Sequence, residues 1–355
     1  MRDNDIGFTG RLLIFVSGLA LIFLAHTGIE ITSPTASRSF EAIGIGLVGY
    51  APIEFLLSSR IRIAEKNNQK SIDQLFRSAV KVSTPGKDLP IFIAVDVEGC
   101  LTPPHRAEVN LRQFQRLRGY CEFVKTSAGQ QYPPIVIYTG RSQGYVELLA
   151  QSLGMINPSL DLPFVIENGS ALYFPSSRKT LPLATPEQRG ALESTSHYLT
   201  ETLSENEFEP KSYMISINPK PGRESIDELR EKVILSLQGK NLLKELTVSS
   251  TASAVDVTIK NINKHIGLKE VLKIYHNLKP DRRDYDLKKV TALGDSTSDL
   301  CVIENVGEAF CPTHDVHPEV RAYVEDHFGI DNVIDKKHIH FVIEVVERTC
   351  GLKLL

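Results

Sequence analysis

The sequence lacks the features that mark several common classes of protein. Its five cysteines form no CxxC pair and no cysteine–histidine cluster with the spacing of a zinc site. Because their number is odd and their positions are scattered, a reduced, cytoplasmic environment is favoured over a disulfide framework. The chain also has no surplus of basic residues, since its net charge is -3 and its pI is near 6.4. Nucleic acid is therefore not expected as a partner.

The composition is that of a folded protein with more than one unit. Apolar residues make up 42% of the chain and charged residues 23%, which excludes disorder of the whole chain. A length of 355 residues exceeds what one ordinary core requires. We expect two globular units and an extension.

The N-terminal region differs from the rest of the chain in its long apolar runs. Leu12–Ala25 is uncharged and continues through Ile29, close to the roughly 17–20 residues that a membrane helix needs. A second run, Ala42–Leu57, contains Pro52 and Glu54. Glu54 lies near one end of this run, where its carboxylate can reach the membrane interface. The two runs together predict a pair of membrane helices.

Basic residues flank this pair on both outer sides, and the loop between the runs holds only Arg38. The flanking residues are Arg2 and Arg11 before the first run, and Arg60, Arg62, Lys66 and Lys70 after the second. This distribution predicts a membrane hairpin over residues 1–62, with helices at about 11–30 and 41–58 and both ends in the cytoplasm. Two alternatives remain open: the first run as a cleaved signal peptide, and the second as a buried or re-entrant helix.

Residues 63–87 are predicted to form an amphipathic helix and a linker. Apolar residues recur there at helical spacing, at Ile72, Leu75, Phe76, Ala79 and Val80. Such a stripe packs against a membrane surface, the body of the protein or a partner helix. The linker ends at a proline–glycine pair, which breaks regular structure.

From residue 88 onward, short apolar runs alternate with helical segments. The runs read as buried parallel strands, at Ile91–Val95, Ile135–Tyr138, Phe164–Ile166 and Val290–Leu293. The helical segments are Val109–Thr126, Gln143–Leu153 and His265–His276. This alternation predicts an α/β fold with a doubly wound parallel sheet and ligand chemistry at the carboxyl ends of its strands. We assign 88–174 and 257–350 to this core, and 175–256 to a smaller inserted α+β unit.

The first chemical motif lies in the segment Ile91–Thr102, where an apolar strand ends in Asp96-Val97-Glu98-Gly99. A carboxylate at a strand end, such as that of Asp96, can attack phosphorus and form an acyl-phosphate. Glu98 points to the same side of the chain and can protonate the leaving group, then activate water. Taken alone, the pattern also fits acids that are simply solvated at a strand end.

Two further motifs supply groups that can bind phosphate. Thr139 and Gly140 end another apolar strand, where a hydroxyl and backbone amides can hold a phosphoryl oxygen. Lys264, at the start of a helix, can neutralise both Asp96 and a bound phosphate. Each has an ordinary alternative, Thr139 as the N-cap of the following helix and Lys264 as a solvated surface residue.

A pair of acids follows the strand Val290–Leu293. Asp295 and Asp299 lie on a strand-to-helix turn, and Mg²⁺ favours one or two carboxylates together with waters and phosphate oxygens. The alternative is an N-capping Asp295 followed by a first-turn acid. The order of the four motifs along one predicted sheet edge favours phosphoryl transfer, which needs in-line attack, charge neutralisation and a metal.

In this combination the chain resembles the haloacid dehalogenase (HAD) superfamily over residues 89–348. Three further stretches are similar to its subclass IIB, which contains Cof-like proteins and sugar-phosphate phosphatases. They are Val165–Ala171 (VIENGSA), Val255–Leu268 (VDVTIKNINKHIGL) and His317–Val320 (HPEV). The resemblance implies a HAD core, with the inserted unit as its cap domain.

The resemblance also implies roles for individual residues. Asp96 would be the nucleophile and Glu98 the acid/base, while Thr139, Gly140 and Lys264 would contact phosphate. The implied ligands of Mg²⁺ are Asp96, the Glu98 carbonyl and Asp295, with Asp299 as a ligand or a support.

Three positions depart from the usual pattern of the family. Glu98 stands where the family usually has aspartate, Cys100 where it usually has threonine, and Ser298 where asparagine is frequent. A glutamate keeps the acid/base function on a longer arm, so the geometry at the leaving group differs. Cys100 is either an oxidation-sensitive thiol or a packed small residue.

The predicted function is that of a membrane-anchored phosphatase whose catalytic domain is cytoplasmic and Mg²⁺-dependent. It would act on a small phosphorylated metabolite, with a sugar phosphate as one candidate. Two alternatives stay open, a phosphomutase of the same subclass and a catalytically silent HAD-like sensor or scaffold tethered to the membrane. Lys220 and Arg223 either reach a substrate anion or lie in a solvated turn. His314 and His317 lack a partner at metal spacing and are assigned no role.

Overall fold

The computed structural model describes residues 80–82, 89–103, 110–126, 128–251, 253–279 and 285–355. The predicted membrane hairpin at 1–62 and most of the predicted helix and linker at 63–87 lie outside these residues. Within the described part of the chain, no helix combines the length and the apolar character that crossing a membrane requires.

The described residues form fourteen strands and eight α-helices. The strands β1 to β14 are Val80–Val82, Ile93–Val95, Ile135–Ile137, Phe164–Ile166, Ala171–Phe174, Lys179–Pro182, Glu207–Phe208, Ile215–Asn218, Leu246–Ser250, Val255–Ile259, Thr291–Leu293, Glu308–Pro312, Val333–Ile334 and Leu352–Leu354. The helices α1 to α8 are Leu111–Phe123, Gln143–Ser152, Pro186–Thr202, Ile226–Gly239, Lys264–Leu278, Thr297–Ile303, Pro318–Phe328 and Ile339–Cys350.

Five strands form a fully parallel sheet in the order β13-β12-β11-β2-β3. Three of them, β2, β3 and β11, read IAV, IVI and TAL, and every residue in them is buried. Strands that read as continuous apolar runs are typical of a parallel sheet covered on both faces. The predicted α/β class with a parallel sheet is therefore confirmed. Because β2 pairs with both β3 and β11, the segments that follow these three strands meet at one sheet edge.

A second sheet is antiparallel, with the order β7-β8-β10-β9, and it packs with α3 and α4. Val255, Val257 and Ile259 of β10 belong to its apolar core, together with Leu229 and Val233 of α4. Both helices begin at capping boxes, in which a threonine or serine and a residue three positions later satisfy each other's backbone amides. We call the residues from α3 to β10 the inserted unit.

The boundary predicted between residues 256 and 257 falls inside β10, because the alternating run Val255–Ile259 continues unbroken to the segment before α5. The division of the chain into a core and a cap domain stays a prediction. A smaller antiparallel sheet, β4-β5-β6, lies beside the core sheet, since Val165 of β4 forms a parallel bridge with Tyr138.

The structure differs from the sequence pattern at Val80. The apolar stripe places this residue on a helix, whereas Val80–Val82 form β1, which pairs antiparallel with Leu352–Leu354 of β14. Arg116 stabilises the end of β14, since its guanidinium donates to Leu354 O at 2.6 Å and pairs with Glu347 at 3.2 Å. The partner strand comes from the far end of the sequence, so no local periodicity could reveal it.

Candidate active site

Asp96 lies directly after β2, at the carboxyl end of the core sheet. Its backbone amide donates to Leu293 O at 3.0 Å, which ties the residue to the neighbouring strand β11. Its side chain is buried and pairs with Lys264, whose Nζ lies 3.0 Å from Asp96 Oδ1. The interpretation of Asp96 as a merely solvated acid is therefore wrong.

Lys264 is the first residue of α5 and is buried, so it is not the solvated surface lysine of the alternative interpretation. Asn263 caps the helix by accepting from the amide of Ile266, which fixes the direction in which the lysine leaves the backbone. Besides Asp96, Lys264 Nζ donates to Asp299 Oδ1 at 2.7 Å and to Ser298 Oγ at 3.1 Å. One ammonium thus joins two separate strand ends.

Asp299 is fully buried, and both of its carboxylate oxygens accept hydrogen bonds from the protein. Oδ1 accepts from Lys264, while Oδ2 accepts from the amides of Asp295 and Ser296 at 3.1 and 2.9 Å and from Ser296 Oγ at 2.8 Å. Ser296, not Asp295, is the N-cap of α6. Asp299 therefore holds the lysine and the turn that carries Asp295, and its role as a metal ligand stays a prediction.

The carboxylate of Asp295 accepts weaker hydrogen bonding than that of Asp299, since its partner is the thiol of Cys100 at 3.5 Å. Ligand oxygens of Asp96, Asp295 and Asp299 all lie within 4.8 Å of one another. Burial raises the pKa of Asp96 to about 7, against the opposing effect of Lys264. Burial and the charges of Asp299 and Asp96 raise the pKa of Asp295 to about 9. The single positive charge of Lys264 does not neutralise three carboxylates. Oxygen donors with excess negative charge fit a divalent cation such as Mg²⁺.

Gly99 is required by the close approach of Asp295. Its φ is +78°, and a Cβ at this position would lie 2.1 Å from Asp295 Oδ2. A side chain here would have to push the acid out of the cluster. The glycine of the D-x-E-G motif therefore has a packing role that links the first motif to the fourth.

Glu98 is only partly buried, unlike Asp96. It forms an ion pair with Arg141, and 41% of the Glu98 side chain is exposed. Burial lowers the pKa of Arg141, but the charge and hydrogen bond of Glu98, together with Glu209 and Tyr145, raise it to a net value above the ordinary one. Sequence reasoning did not select Arg141, although a cation directly after Thr139-Gly140 was the available signal.

Thr139 and Gly140 follow β3, which pairs with β2. Thr139 is buried, and its Oγ1 accepts from the amide of Arg141 at 3.2 Å. The N-cap of α2 is Ser142, so the interpretation of Thr139 as that N-cap is wrong. At Gly140 a Cβ would lie 2.9 Å from Asn168 Oδ1, so this loop contacts the turn that follows β4.

That turn is Glu167-Asn168-Gly169, and all three residues have positive φ. The buried carboxylate of Glu167 accepts from the amides of Ser212 and Tyr213 at 3.0 and 2.6 Å, which holds the inserted unit to the core. Burial raises the pKa of Glu167, and these amides lower it in part. Asn168 Nδ2 donates to Asp256 Oδ2 at 3.0 Å and makes a second link.

These groups surround a cavity of about 380 Å³ between the core and the inserted unit. Every predicted site residue except Asp299 lines it, and Asp299 is fully buried in contact with Lys264. Sequence reasoning missed several other lining residues, namely Arg141, Asn168, Glu209, Lys211, Ser216, Asp256 and Asp315. A charged residue inside the alternating strand V-D-V-T-I was the signal for Asp256.

The other residues singled out in the sequence either do not line the cavity or have a structural role. Lys220 pairs with Glu205 at 2.7 Å, and neither it nor Arg223 is among the residues that line the cavity. His317 is the N-cap of α7, and His314 lies 3.0 Å from Asp335. Cys100 is buried, and burial together with Asp295 raises the pKa of its thiol well above the ordinary value. A protonated, buried thiol fits a packed small residue better than an oxidation-sensitive one.

Comparison with known proteins finds a match only among solved structures. No family model matches the chain, and no curated protein matches it. The structure of protein 0175 from Thermoplasma acidophilum aligns with a TM-score of 0.53 at 14% identity, over 74% of this chain and 99% of that one. Protein SMU.1108c from Streptococcus mutans aligns with a TM-score of 0.52, with the same identity and coverage.

A sucrose-phosphatase from Synechocystis, solved with sucrose and phosphate, is also similar in structure. Its TM-score is 0.49 at 14% identity, over 74% of this chain and 98% of that one. The fold assignment rests on the two matches with scores above 0.5. These matches cover 74% of this chain and nearly the whole of each solved protein, so that part of the chain has the fold of a nearly complete known structure.

Proposed function

We propose that the chain is a Mg²⁺-dependent phosphatase of the HAD type, subclass IIB, that hydrolyses a small phosphorylated metabolite through an aspartyl-phosphate at Asp96. The observation that carries this proposal is the buried pair of Asp96 and Lys264, whose Oδ1 and Nζ lie 3.0 Å apart beside Asp295 and Asp299. A nucleophile, a phosphate-binding cation and a cluster of acids at one sheet edge are the parts that phosphoryl transfer needs.

In the first step, Asp96 attacks phosphorus while the bond between phosphorus and the ester oxygen breaks. The leaving oxygen takes a proton from Glu98, and Lys264 and Thr139 hold the phosphoryl oxygens. In the second step, ionised Glu98 takes a proton from the water that attacks the aspartyl-phosphate. Inorganic phosphate leaves, and Asp96 is restored.

Asp96 and Asp295 would hold the Mg²⁺, and Asp299 would hold the turn that carries Asp295. The ion supplies charge neutralisation for the phosphoryl oxygens when it is bound. The predicted ligand role of the Glu98 carbonyl belongs to the same proposal.

Arg141 has a separate task at Glu98. Because the arm of glutamate is one methylene longer than that of aspartate, it has more conformations to choose from. The ion pair with Arg141 restricts this freedom. It holds the carboxyl group of Glu98 in place for the proton transfers of both steps.

Phosphate release in the presence of Mg²⁺ tests the proposal, with the full chain compared with Asp96→Asn. Wild type should release phosphate from p-nitrophenyl phosphate or from members of a metabolite panel, and chelation of Mg²⁺ should stop it. Asp96→Asn should be inactive, and equal rates for the two proteins would sink the covalent mechanism. Transfer of the phosphate to another position of the product, without release, would indicate the mutase instead.

The membrane anchoring and the cytoplasmic placement are part of the proposal. They rest on the apolar runs and the flanking basic residues of the N-terminal region. A reporter fused to either end of the chain tests them, and an outward-facing C-terminus would contradict them.

A further inference from the structure

Tyr138 is a buried tyrosine that the proposed catalytic steps do not use. It follows β3 directly, and its backbone amide donates to Val95 O at 3.1 Å, so the pairing of β3 with β2 continues to the residue before Asp96. The side chain is fully buried, and Tyr138 is not among the described residues that line the cavity. A buried phenol usually has a partner for its hydroxyl. That partner is therefore the first indication of what the side chain does.

The hydroxyl of Tyr138 reaches across β2, the strand that leads to the nucleophile. It donates to Leu293 O at 2.8 Å, and Leu293 ends β11, which flanks β2 on the side opposite β3. Since neighbouring strands lie about 4.8 Å apart, the side chain and its hydrogen bond span roughly two strand spacings. The same carbonyl oxygen accepts from the backbone amide of Asp96 at 3.0 Å. One oxygen thus binds both the hydroxyl and the nucleophile, where three strands end.

The hydroxyl also packs against the turn that carries the acid pair. Gly294 begins this turn, and a Cβ there would lie 2.9 Å from Tyr138 Oη and 2.6 Å from Asp299 Cβ. The hydroxyl therefore lies against the segment that leads to Asp295. Burial and the charges of Asp299 and Asp96 raise the pKa of Tyr138 well above its ordinary value, so the hydroxyl keeps its proton and acts as a donor. It can position its neighbours, and it cannot serve as a base.

The ring of Tyr138 faces the ammonium of Lys264. Lys264 Nζ lies 5.3 Å from the centroid of the ring, within the distance of about 6 Å at which an aromatic face attracts a cation. The three N–H groups of the ammonium already bond Asp96, Asp299 and Ser298. The ring therefore adds an attraction that needs no further donor, and this attraction is strongest where water is excluded.

We propose that Tyr138 is a positioning residue for phosphoryl transfer. Its hydroxyl holds Leu293 O, and through it Asp96 and the turn of Asp295, while its ring holds the ammonium of Lys264. The two parts of the side chain have separate tasks, since the hydroxyl affects attack on phosphorus and the ring affects the binding of phosphate. This inference rests on the proposed phosphatase function and adds to it a residue that acts through others.

Tyr120 supplies a matched control, because it is also a fully buried tyrosine and lies on α1, away from the cavity. Its hydroxyl donates to Pro133 O at 2.7 Å, as that of Tyr138 donates to Leu293 O at 2.8 Å. Tyr138→Phe and Tyr120→Phe each remove one buried hydroxyl and keep the ring. Tyr138→Leu removes the ring as well.

The test measures kcat of the full chain at saturating Mg²⁺ and the inhibition constant of inorganic phosphate. The esters are p-nitrophenyl phosphate, propyl phosphate and glucose 6-phosphate. Tyr138→Phe should lower kcat by about tenfold on each of them, the value of one hydrogen bond, and should change the inhibition constant by less than about twofold. Tyr138→Leu should in addition raise the inhibition constant by about three- to tenfold, because the attraction between ring and ammonium is lost. Tyr120→Phe should change neither quantity.

Three results would overturn the inference. Equal values of kcat for Tyr138→Phe and Tyr120→Phe would refute the task of the hydroxyl. Equal inhibition constants for Tyr138→Leu and Tyr138→Phe would refute the task of the ring. A loss of kcat on some esters and not on others would indicate a contact with the substrate and not positioning.

Binding separates failure of this inference from failure of the proposed function. If wild type hydrolyses no ester, the proposed function fails, and the melting temperature with and without inorganic phosphate and Mg²⁺ tests the positioning alone. A stabilisation of wild type and Tyr120→Phe that Tyr138→Leu lacks would support it. Equal stabilisation of all three proteins, or stabilisation of none, would refute it.

Discussion

The two main sheets of the protein present polar groups in different ways. In the parallel core sheet, strands such as β2 and β11 are buried along their whole length, and the polar groups follow their carboxyl ends. In the antiparallel sheet of the inserted unit, β10 has apolar side chains on one face and Asp256 on the other. The core sheet thus supplies polar groups to the cavity from its edge, and the inserted unit supplies them from one face of its sheet.

This difference assigns different tasks to the two sheets. Groups at one sheet edge converge on a single point, as Asp96 and Asp295 do, and Lys264 reaches them from the start of α5. Such convergence suits bond breaking at one phosphorus atom. A sheet face spreads its groups over an area, which suits contact with the variable part of a substrate. Changes at the core edge should therefore alter the rate for every ester, and changes on the face of β10 should alter the choice among esters.

Lys264→Ala is expected to have the largest effect. It removes the cation that we propose to bind phosphate, and it leaves the carboxylates of Asp96 and Asp299 buried without their partner. Breaking a buried ion pair costs about 3–5 kcal/mol, so both turnover and the free energy of unfolding should fall. Steady-state kinetics over the ester panel and chemical denaturation measure the two quantities.

Lys260→Ala is the matched control, because Lys260 is an exposed lysine in the same segment of chain. It should leave turnover and stability within about 0.5 kcal/mol of wild type. If the two substitutions had the same effect, Lys264 would have no special task at the core edge. If Lys264→Ala lowered the rate for some esters and left the rate for others unchanged, the expectation that the core edge acts on every ester would be wrong.

A smaller effect is expected for Gly99→Ala, with Gly222→Ala as its control. Both glycines have positive φ, +78° and +68°, so an alanine is strained at either position. Only at Gly99 does the new Cβ meet Asp295, whereas nothing lies within 4 Å at Gly222. Both variants should lose about 1 kcal/mol of stability from backbone strain, as measured by denaturation.

Gly99→Ala should in addition weaken the activation by Mg²⁺, because Asp295 is displaced. A titration of activity against Mg²⁺ should shift by at least about tenfold for this variant and remain unchanged for Gly222→Ala. Identical Mg²⁺ curves for the two variants would show that the approach of Gly99 to Asp295 has no part in metal binding.

The smallest effect concerns the metal-free protein and pH. The pKa of Asp295 is raised from 3.8 to about 9, so the folded state binds its proton more tightly than the unfolded state does. The stability that this proton provides is present at acidic pH and is lost as pH rises toward 9. Asp295→Asn should remove this loss.

The melting temperature of chelator-treated protein checks this prediction. Asp295→Asn should melt a few degrees above wild type at pH 8.5 and close to it at pH 5, since about 1 kcal/mol shifts a domain of this size by roughly 2–4 °C. Asp227→Asn serves as the control, since its exposed acid lies in the first turn of α4, and it should show no such difference. A gap between wild type and Asp295→Asn that is independent of pH would contradict the assigned cause.

The sequence allowed much of the core edge to be predicted, because each group there follows a short apolar run. Asp96 and Thr139 come directly after such runs and Asp295 comes one glycine later, and parallel pairing then brings the strand ends together. Phe164–Ile166 was predicted with its observed bounds. Lys264 depended on the resemblance to a family, since no local rule distinguishes it from Lys260.

The role of the polar face of β10 could not be predicted from the local sequence, for a physical reason. Whether Asp256 points to solvent or into a cavity depends on what covers the sheet, and that cover is supplied by Asn168 and the core. The ion pair of Glu98 with Arg141 joins residues 43 positions apart, and its orientation depends on how the two loops fold. The strand at Val80 depends on a partner at the other end of the chain.

The most direct test of the central claim is to trap the phosphorylated enzyme. Wild type and Glu98→Gln, in which the second step is slowed, are mixed with labelled p-nitrophenyl phosphate and Mg²⁺ and quenched in acid. We predict that label remains on the protein, is released by hydroxylamine and maps to Asp96 by mass spectrometry. Asp96→Asn should carry no label. Label on another residue, or equal label on Asp96→Asn, would contradict the account.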